Sequence, residues 1–226
     1  MSMSTTFAND LLRLIFNATP IANIADNAVT APLTTVTMAL HTDDPGAGGT
    51  QSTNEVAYTG YARPTPARTT GGFTVTGAVV NPVATIGFGA CTALTATATH
   101  WSASVGAGAS KILVRGVIAS AVLGPFTAVA VGDILTFPGL TGVAVDDRIV
   151  VAAAQGSTLP TGLTAGVAYW VKTVSVNDVT LSTTQGGATL DITAAGDGVG
   201  WRATPIAISS GVTPQLSTAL AVTFPT

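Results

Sequence analysis

Residues 35–41 read TVTMALH, and the period of this stretch sets the class of the protein. Val36, Met38 and Leu40 alternate with Thr35, Thr37 and His41, the pattern of a half-buried strand with one face turned to a core. The stretch that follows, TDDPGAGGT (42–50), is a Pro/Gly turn carrying two aspartates. Beyond it, FTVTGAVV (73–80), VATIGF (83–88), ALTATATHW (93–101) and KILVRGVIA (111–119) read as further strands. Their connectors, such as SVGAGAS (104–110), are rich in Gly and Ser. Short strands at about ten-residue spacing predict a sandwich or jelly roll.

Upstream, STTFANDLLRLIFNATPI (4–21) is the one helical stretch. Leu11, Leu12, Ile15 and Phe16 make a single apolar stripe, with Ser4, Thr5 or Asn9 as cap candidates and Pro20 as the stop. Such a stripe must dock, either on its own sheet or on a neighbouring subunit. Downstream, the part from about 121 to 203 changes style. GDILTF, DDRIVV, AYWVKTV, DVTLSTT, ATLDITAAG and GDGVGW are short strands separated by turns, and two of the three tryptophans lie among them. From TPIAISSGVTPQLSTALAVTF (204–224) the Ala/Val/Thr alternation of the first part resumes. The expected fold is therefore all-β, with a jelly-roll or β-sandwich core (1–120 plus 204–226), a short N-terminal helix, and a small β-rich domain (121–203) inserted at a loop.

Composition supports the strands and narrows the function. Val and Thr are abundant and β-branched, which suits a pleated surface. Only 8% of residues are charged, the net charge is −3, and mean hydropathy is +0.53. A soluble monomer ordinarily carries far more charge on its surface, so something else must cover much of this one. No basic cluster marks a nucleic-acid partner. The longest apolar run, Gly116–Val131, is too short for a spanning helix and contains Pro125. The first residues lack the pattern of a secretory signal, and the aromatics are too scattered for the girdles of a membrane barrel. Protein neighbours are the expected cover, with no membrane partner.

Reactive chemistry is sparse. His41, Asp43 and Asp44 lie within four positions, but a TDDPG turn needs its aspartates for local hydrogen bonds, and three such residues fix no coordination geometry. His100 has no nucleophile or orienting carboxylate near it in sequence. The single cysteine, Cys91, reads as a small buried hydrophobe. PGAGGT lacks the Lys-Ser/Thr and the helix of a phosphate loop. No catalytic, cofactor or metal site is expected. The densest gathering of rare residues is TQSTNEVAYTGYAR (50–63), with the only glutamate, Glu55, two of three tyrosines, Tyr58 and Tyr61, and Arg63. A lone Glu beside an Arg reads as a structural ion pair. Tyr and Arg also anchor interfaces. The candidate contact residues are therefore Leu11, Leu12, Ile15, Phe16, Glu55, Tyr58, Tyr61 and Arg63.

The order of these elements carries a resemblance. A short helix, then Thr35–Pro45, the TNEVAYTGYAR segment (53–63), Leu94–Trp101, KILVRGVIA and GVTPQLSTALAVTF together resemble a family of small bacteriophage virion proteins. The resemblance covers roughly residues 8–120 and 204–226. The insert resembles a second phage module, through Val145–Val150, Leu159–Val171 and Val179–Thr193, and the compact family usually lacks it. Members are often labelled tail-fibre proteins, while many look like capsid cement or decoration proteins with a jelly-roll fold. The resemblance implies a non-enzymatic decoration protein on the capsid exterior, made in the bacterial host cytoplasm. It would bind the major capsid protein, and the apolar surface that a monomer would expose predicts that it also binds copies of itself as a dimer or trimer. A tail or tail-fibre component in contact with the host is the alternative.

Overall fold

The computed structural model describes residues 5–21, 34–46, 48–104, 112–154 and 156–223. The cap candidate Ser4 and most of the SVGAGAS connector lie outside them. In chain order the elements are α1 (Thr5–Asn17), β1 (Thr37–His41), β2 (Phe73–Thr76), β3 (Val79–Pro82), β4 (Ile86–Gly87), β5 (Ala96–Ala98), β6 (His100–Ser104) and β7 (Ile112–Val117). There follow β8 (Ala119–Val129), β9 (Ile134–Thr136), β10 (Arg148–Ala152), β11 (Ala168–Ser175), β12 (Asp178–Ser182) and β13 (Gly196–Ala203). The last three are β14 (Ile206–Ile208), β15 (Gln215–Leu216) and β16 (Val222–Thr223). Over the described residues the protein is all-β with one short N-terminal helix.

Four small sheets and the helix enclose one apolar cluster. The sheets are β1-β6-β7, β16-β3-β2, β14-β5 and β15-β4. Leu12, Phe16, Met38, Leu40, Phe73, Phe88 and Trp101 are among the side chains buried between them. Several predicted strands are divided. FTVTGAVV is a hairpin, because Gly77 (φ 58°) and Ala78 (φ 65°) turn the chain between β2 and β3. ALTATATHW breaks at Thr99, whose N–H donates to the His41 carbonyl and whose hydroxyl reaches the Thr42 carbonyl. Of VATIGF only Ile86–Gly87 pairs, with β15.

β1 departs most from its sequence pattern. It was expected to be half buried, yet all five of its residues are buried. Both its polar ends are satisfied inside: the Thr37 carbonyl accepts from Gln51 Nε2 at 2.8 Å, and His41 is hydrogen-bonded at both ring nitrogens. Buried polar groups that keep their hydrogen bonds escape the desolvation penalty. Alternation in the sequence therefore marked the strand without reporting how deep it lies.

The helix docks on its own chain. Leu12 and Phe16 are buried, and Phe16 meets Phe73 edge-on at 5.0 Å between ring centroids. Asn9 does not cap the helix; its Oδ1 accepts from the Ala78 N–H at 2.8 Å. At the other end Arg68 donates to the Leu14 and Ile15 carbonyls at 2.7 and 2.6 Å. A guanidinium there satisfies orphan carbonyls and sits favourably at the negative end of the helix dipole. As contact residues for a partner, Leu12 and Phe16 are thus corrected to core residues, since the hairpin β2–β3 already covers them. Leu11 and Ile15 are half-buried.

Strands β8 to β13 close a barrel in the order β10-β11-β12-β9-β8-β13. Ile149, Val151, Tyr169, Val171, Val179 and Leu181 fill it, around Phe126 and Phe137 with ring centroids 5.1 Å apart. β13 makes room for these rings with glycine: a Cβ on Gly200 would stand 2.6 Å from the Phe137 ring. On the outside, Arg148 lies over its cross-strand partner Trp170 at 4.4 Å from the ring centroid, a cation–π contact.

Replacing Phe16 by Ala is expected to lower stability in urea unfolding by about 3–5 kcal/mol, as for other buried Phe truncations. Leu11→Ala, at a half-buried position, should cost clearly less.

Candidate functional site

The GYAR segment owes its geometry to β1. Residues 54–67 run along the free edge of that strand without forming a regular strand themselves. Val36 and Met38 donate to the Pro66 and Pro64 carbonyls, both at 2.9 Å, and Val56 N–H donates to Leu40 at 3.0 Å. A proline can accept in such a ladder and cannot donate, which confines it to irregular edges of this kind. The Pro-Thr-Pro spacing therefore ends the sheet at this edge.

Glu55 sits at the centre of the segment. Arg63 grips it with two parallel bonds, Nε to Oε1 and Nη2 to Oε2, each 2.6 Å. The Tyr61 hydroxyl donates to Oε1 at 2.8 Å and accepts from the Leu40 N–H at 3.2 Å. Arg63 Nη2 also reaches Ser52 Oγ at 3.0 Å. This is the forked, charge-assisted geometry that gives an ion pair both strength and direction. Its hydrogen bond to Glu55 raises the Arg63 pKa further, against the effect of burial. Burial is the main cause that pushes the Tyr61 hydroxyl far above its ordinary value, and the negative Glu55 adds to it. A phenol held neutral, donating to a carboxylate already forked by an arginine, is not available as an acid or base. The cluster is a clamp.

Tyr58 anchors the next layer. Its buried hydroxyl donates to the Phe88 carbonyl at 2.8 Å, with the Gly89 carbonyl at 3.1 Å. Tyr58 and Tyr61 meet edge-on at 5.3 Å, and Tyr61 lies parallel to Phe88 at 6.3 Å. Here two chain segments pass so closely that only glycine fits. A Cβ on Gly60 would run into the Ala90 carbonyl, and one on Gly89 into the Gly60 carbonyl. The glycine of GYAR is required by that crossing, where its φ is 100°.

The two histidines are cross-strand neighbours, His41 on β1 opposite His100 on β6. His41 Nδ1–H donates to the Thr53 carbonyl at 2.8 Å, so Nε2 accepts from Ser102 Oγ at 2.7 Å. His100 Nε2–H donates to the Gly166 carbonyl at 2.9 Å, and Nδ1 faces the Thr99 hydroxyl at 2.8 Å. Burial lowers both pKa values, against the raising effect of the backbone bonds. Asp44 is held by other partners: its Oδ1 accepts from Arg115 Nε at 2.7 Å and from the Gly46 N–H at 2.9 Å. Burial works against its ionisation, but those bonds prevail and its pKa falls below the usual carboxylate value. His41, Asp43 and Asp44 therefore share no focus, and no group of three metal-ligating side chains converges among the described residues. Cys91 is buried, its thiol 3.4 Å from the Ala93 and Leu94 carbonyls.

A surface cleft of about 400 Å³ beside the helix is lined by Arg13, Asn17, Phe73 and several threonines. Among the described residues that line it, no carboxylate opposes Arg13. The sequence pointed to Glu55, Tyr58, Tyr61 and Arg63, and the structure brings all four to one place. It missed Gln51, which is fully buried beside β1, and Arg68, whose role depends on a helix more than fifty positions upstream. No local pattern marks either residue.

Residues 2–141 match the profile of a family described as podophage GP4 fiber I protein gp80. The match takes in the helix, the clamp and β7, and continues through β8 and β9 of the barrel. Neither the curated proteins nor the solved structures give a match to the chain.

Glu55→Gln should weaken the fork and cost about 1–3 kcal/mol in chemical denaturation, while Tyr61→Phe should cost less because the ion pair survives. Acidification gives a separate check. Both histidines hold folded-state pKa values below 6.5, so the unfolded chain binds protons first as pH falls. Stability should be constant above about pH 7 and decline below about 6.5. Asp44 adds a further loss only in the carboxylate range. A urea midpoint identical at pH 7.5 and 5.5 would contradict the assignment of neutral buried histidines.

Proposed function

Because the chain belongs to the podophage GP4 fiber I protein gp80 family, and is thus a bacteriophage virion structural protein, we propose that it serves as a non-catalytic fibre subunit of the particle. The observation that carries this reading is the family match over residues 2–141, which spans the helix, the clamp and the first barrel strands. The geometry of the clamp supports it. Glu55, Tyr58, Tyr61 and Arg63 are spent on one another and on backbone groups, which stiffens the subunit and leaves them no free reactive form. In this reading the stretch 121–203 is a module carried in a loop of the core.

The sparse charge fits a subunit that is covered by its neighbours. Val122, Val131 and Val176 are 73%, 88% and 86% exposed, and apolar surface of this kind is buried by assembly. Copies of the same chain are the proposed partners, with no nucleic acid and no membrane. Capsid decoration uses the same physics of area burial, but the family match favours the fibre.

Two measurements test the reading. Immunogold labelling of intact virions should mark the fibres; label spread over the capsid, with a copy number near that of the major shell protein, would replace the fibre by the decoration reading. Sedimentation of the isolated protein should show a dimer or trimer, and a monodisperse monomer would overturn self-association.

A further inference from the structure

The core and the barrel are joined by two chain crossings that lie side by side. β7 passes into β8 at Ile118, and β13 passes into β14 at Thr204. Ile118 N–H donates to the Thr99 carbonyl at 2.8 Å, and Thr204 N–H donates to the Ile118 carbonyl at 2.9 Å. Two adjacent strands meeting at one place define a hinge axis and leave rotation about it unrestrained. The apolar clusters on either side share no residue, so each body has its own packing.

A second contact fixes the angle. Gly166, in the loop before β11, is tied to the barrel by its N–H, which donates to the Val151 carbonyl at 3.0 Å. From the core, His100 Nε2–H donates to the Gly166 carbonyl at 2.9 Å. Asp44 closes on the same glycine. A Cβ there would stand 2.5 Å from Asp44 Oδ2, while Arg115 holds Oδ1 in an ion pair at 2.7 Å. Gly166 has φ 83°, so the absent side chain serves both the backbone turn and the approach of Asp44. His100 is 2% exposed and its other nitrogen is engaged by Thr99.

We propose that Gly166 is a latch: the His100–Gly166–Asp44 contact holds the barrel in one orientation on the core, and releasing it lets the barrel pivot about the paired crossings at Ile118 and Thr204 while both bodies stay folded. The clasp is polar and small. Joints between separately packed bodies move by default unless a large apolar surface prevents it, and a few hydrogen bonds are readily broken below the threshold for global unfolding. Asp43, Asp44, Arg115 and His41 are the charged and titratable groups acting on His100 and Asp44 from the surrounding elements.

The test places spin labels on cysteines introduced at the exposed positions Val131, in the barrel, and Ser210, in the core; Cys91 is buried and stays unlabelled. The wild-type clasp should give one narrow interspin distance. Gly166→Ala, which strains the backbone and strikes Asp44, should lose that single distance and give a broad distribution. Asp44→Ala, which removes the carboxylate while keeping the glycine, should broaden it less. Amide protection at Leu40 and Phe88 in the core and at Val151 and Leu181 in the barrel should persist in both variants. An unchanged narrow distance in both variants would overturn the latch. So would loss of protection in core and barrel together, since that would make the contact part of one cooperative unit.

Discussion

The structure depends on how the outer edge of β1 is closed. β1 is buried along its whole length and sits at the margin of its sheet. A buried margin must still satisfy its backbone N–H and C=O groups. The chain solves this with an irregular segment, 54–67, whose proline carbonyls accept from Val36 and Met38 and whose Tyr61 hydroxyl takes the Leu40 N–H. That segment has no strand ladder to hold it. Its position comes from the Glu55–Arg63 fork, from the tyrosines and from the glycine crossing at Gly60 and Gly89. The segment after it delivers Arg68 to the end of the helix. One edge thus organises the helix, the central sheet and the loop at Phe88.

A chain this poor in charge uses the charge it has for a few directed ties, one local and two between distant segments. Among the described residues, Glu55–Arg63 fixes the clamp, Asp44–Arg115 joins the loop after β1 to β7, and Asp147–Arg202 joins the approach to β10 with β13. The shielded, forked Glu55–Arg63 pair contributes to stability, while the more open Asp44–Arg115 and Asp147–Arg202 pairs add little energy. Their value lies in direction, because a forked or shielded pair permits one geometry. A virion subunit that repeats an interface, as proposed above, needs a fixed shape, and sparing charge for these positions is compatible with leaving apolar surface for neighbours. The family match and the physics of the clamp support the same conclusion from different sides.

The sequence alone determined the all-β class, through the two-residue period of TVTMALH and its successors, and the single helix, through Leu11, Leu12, Ile15 and Phe16. It also singled out Glu55, Tyr58, Tyr61 and Arg63, since rare residues crowded into one segment stand out without any structure. Their pairing is local, within eight positions, which is why it was legible. What only the tertiary structure decided is where these elements lie in three dimensions. Periodicity reports that a strand has two faces, not whether the second face is covered, so β1 was read as half exposed. A helix stripe reports that something must cover it, not what, so Leu12 and Phe16 looked open to a partner until the β2–β3 hairpin claimed them. The ties of Gln51 to β1, Arg68 to the helix and His100 to Gly166 join residues far apart along the chain, and no local spacing encodes a contact made only when the chain has closed on itself.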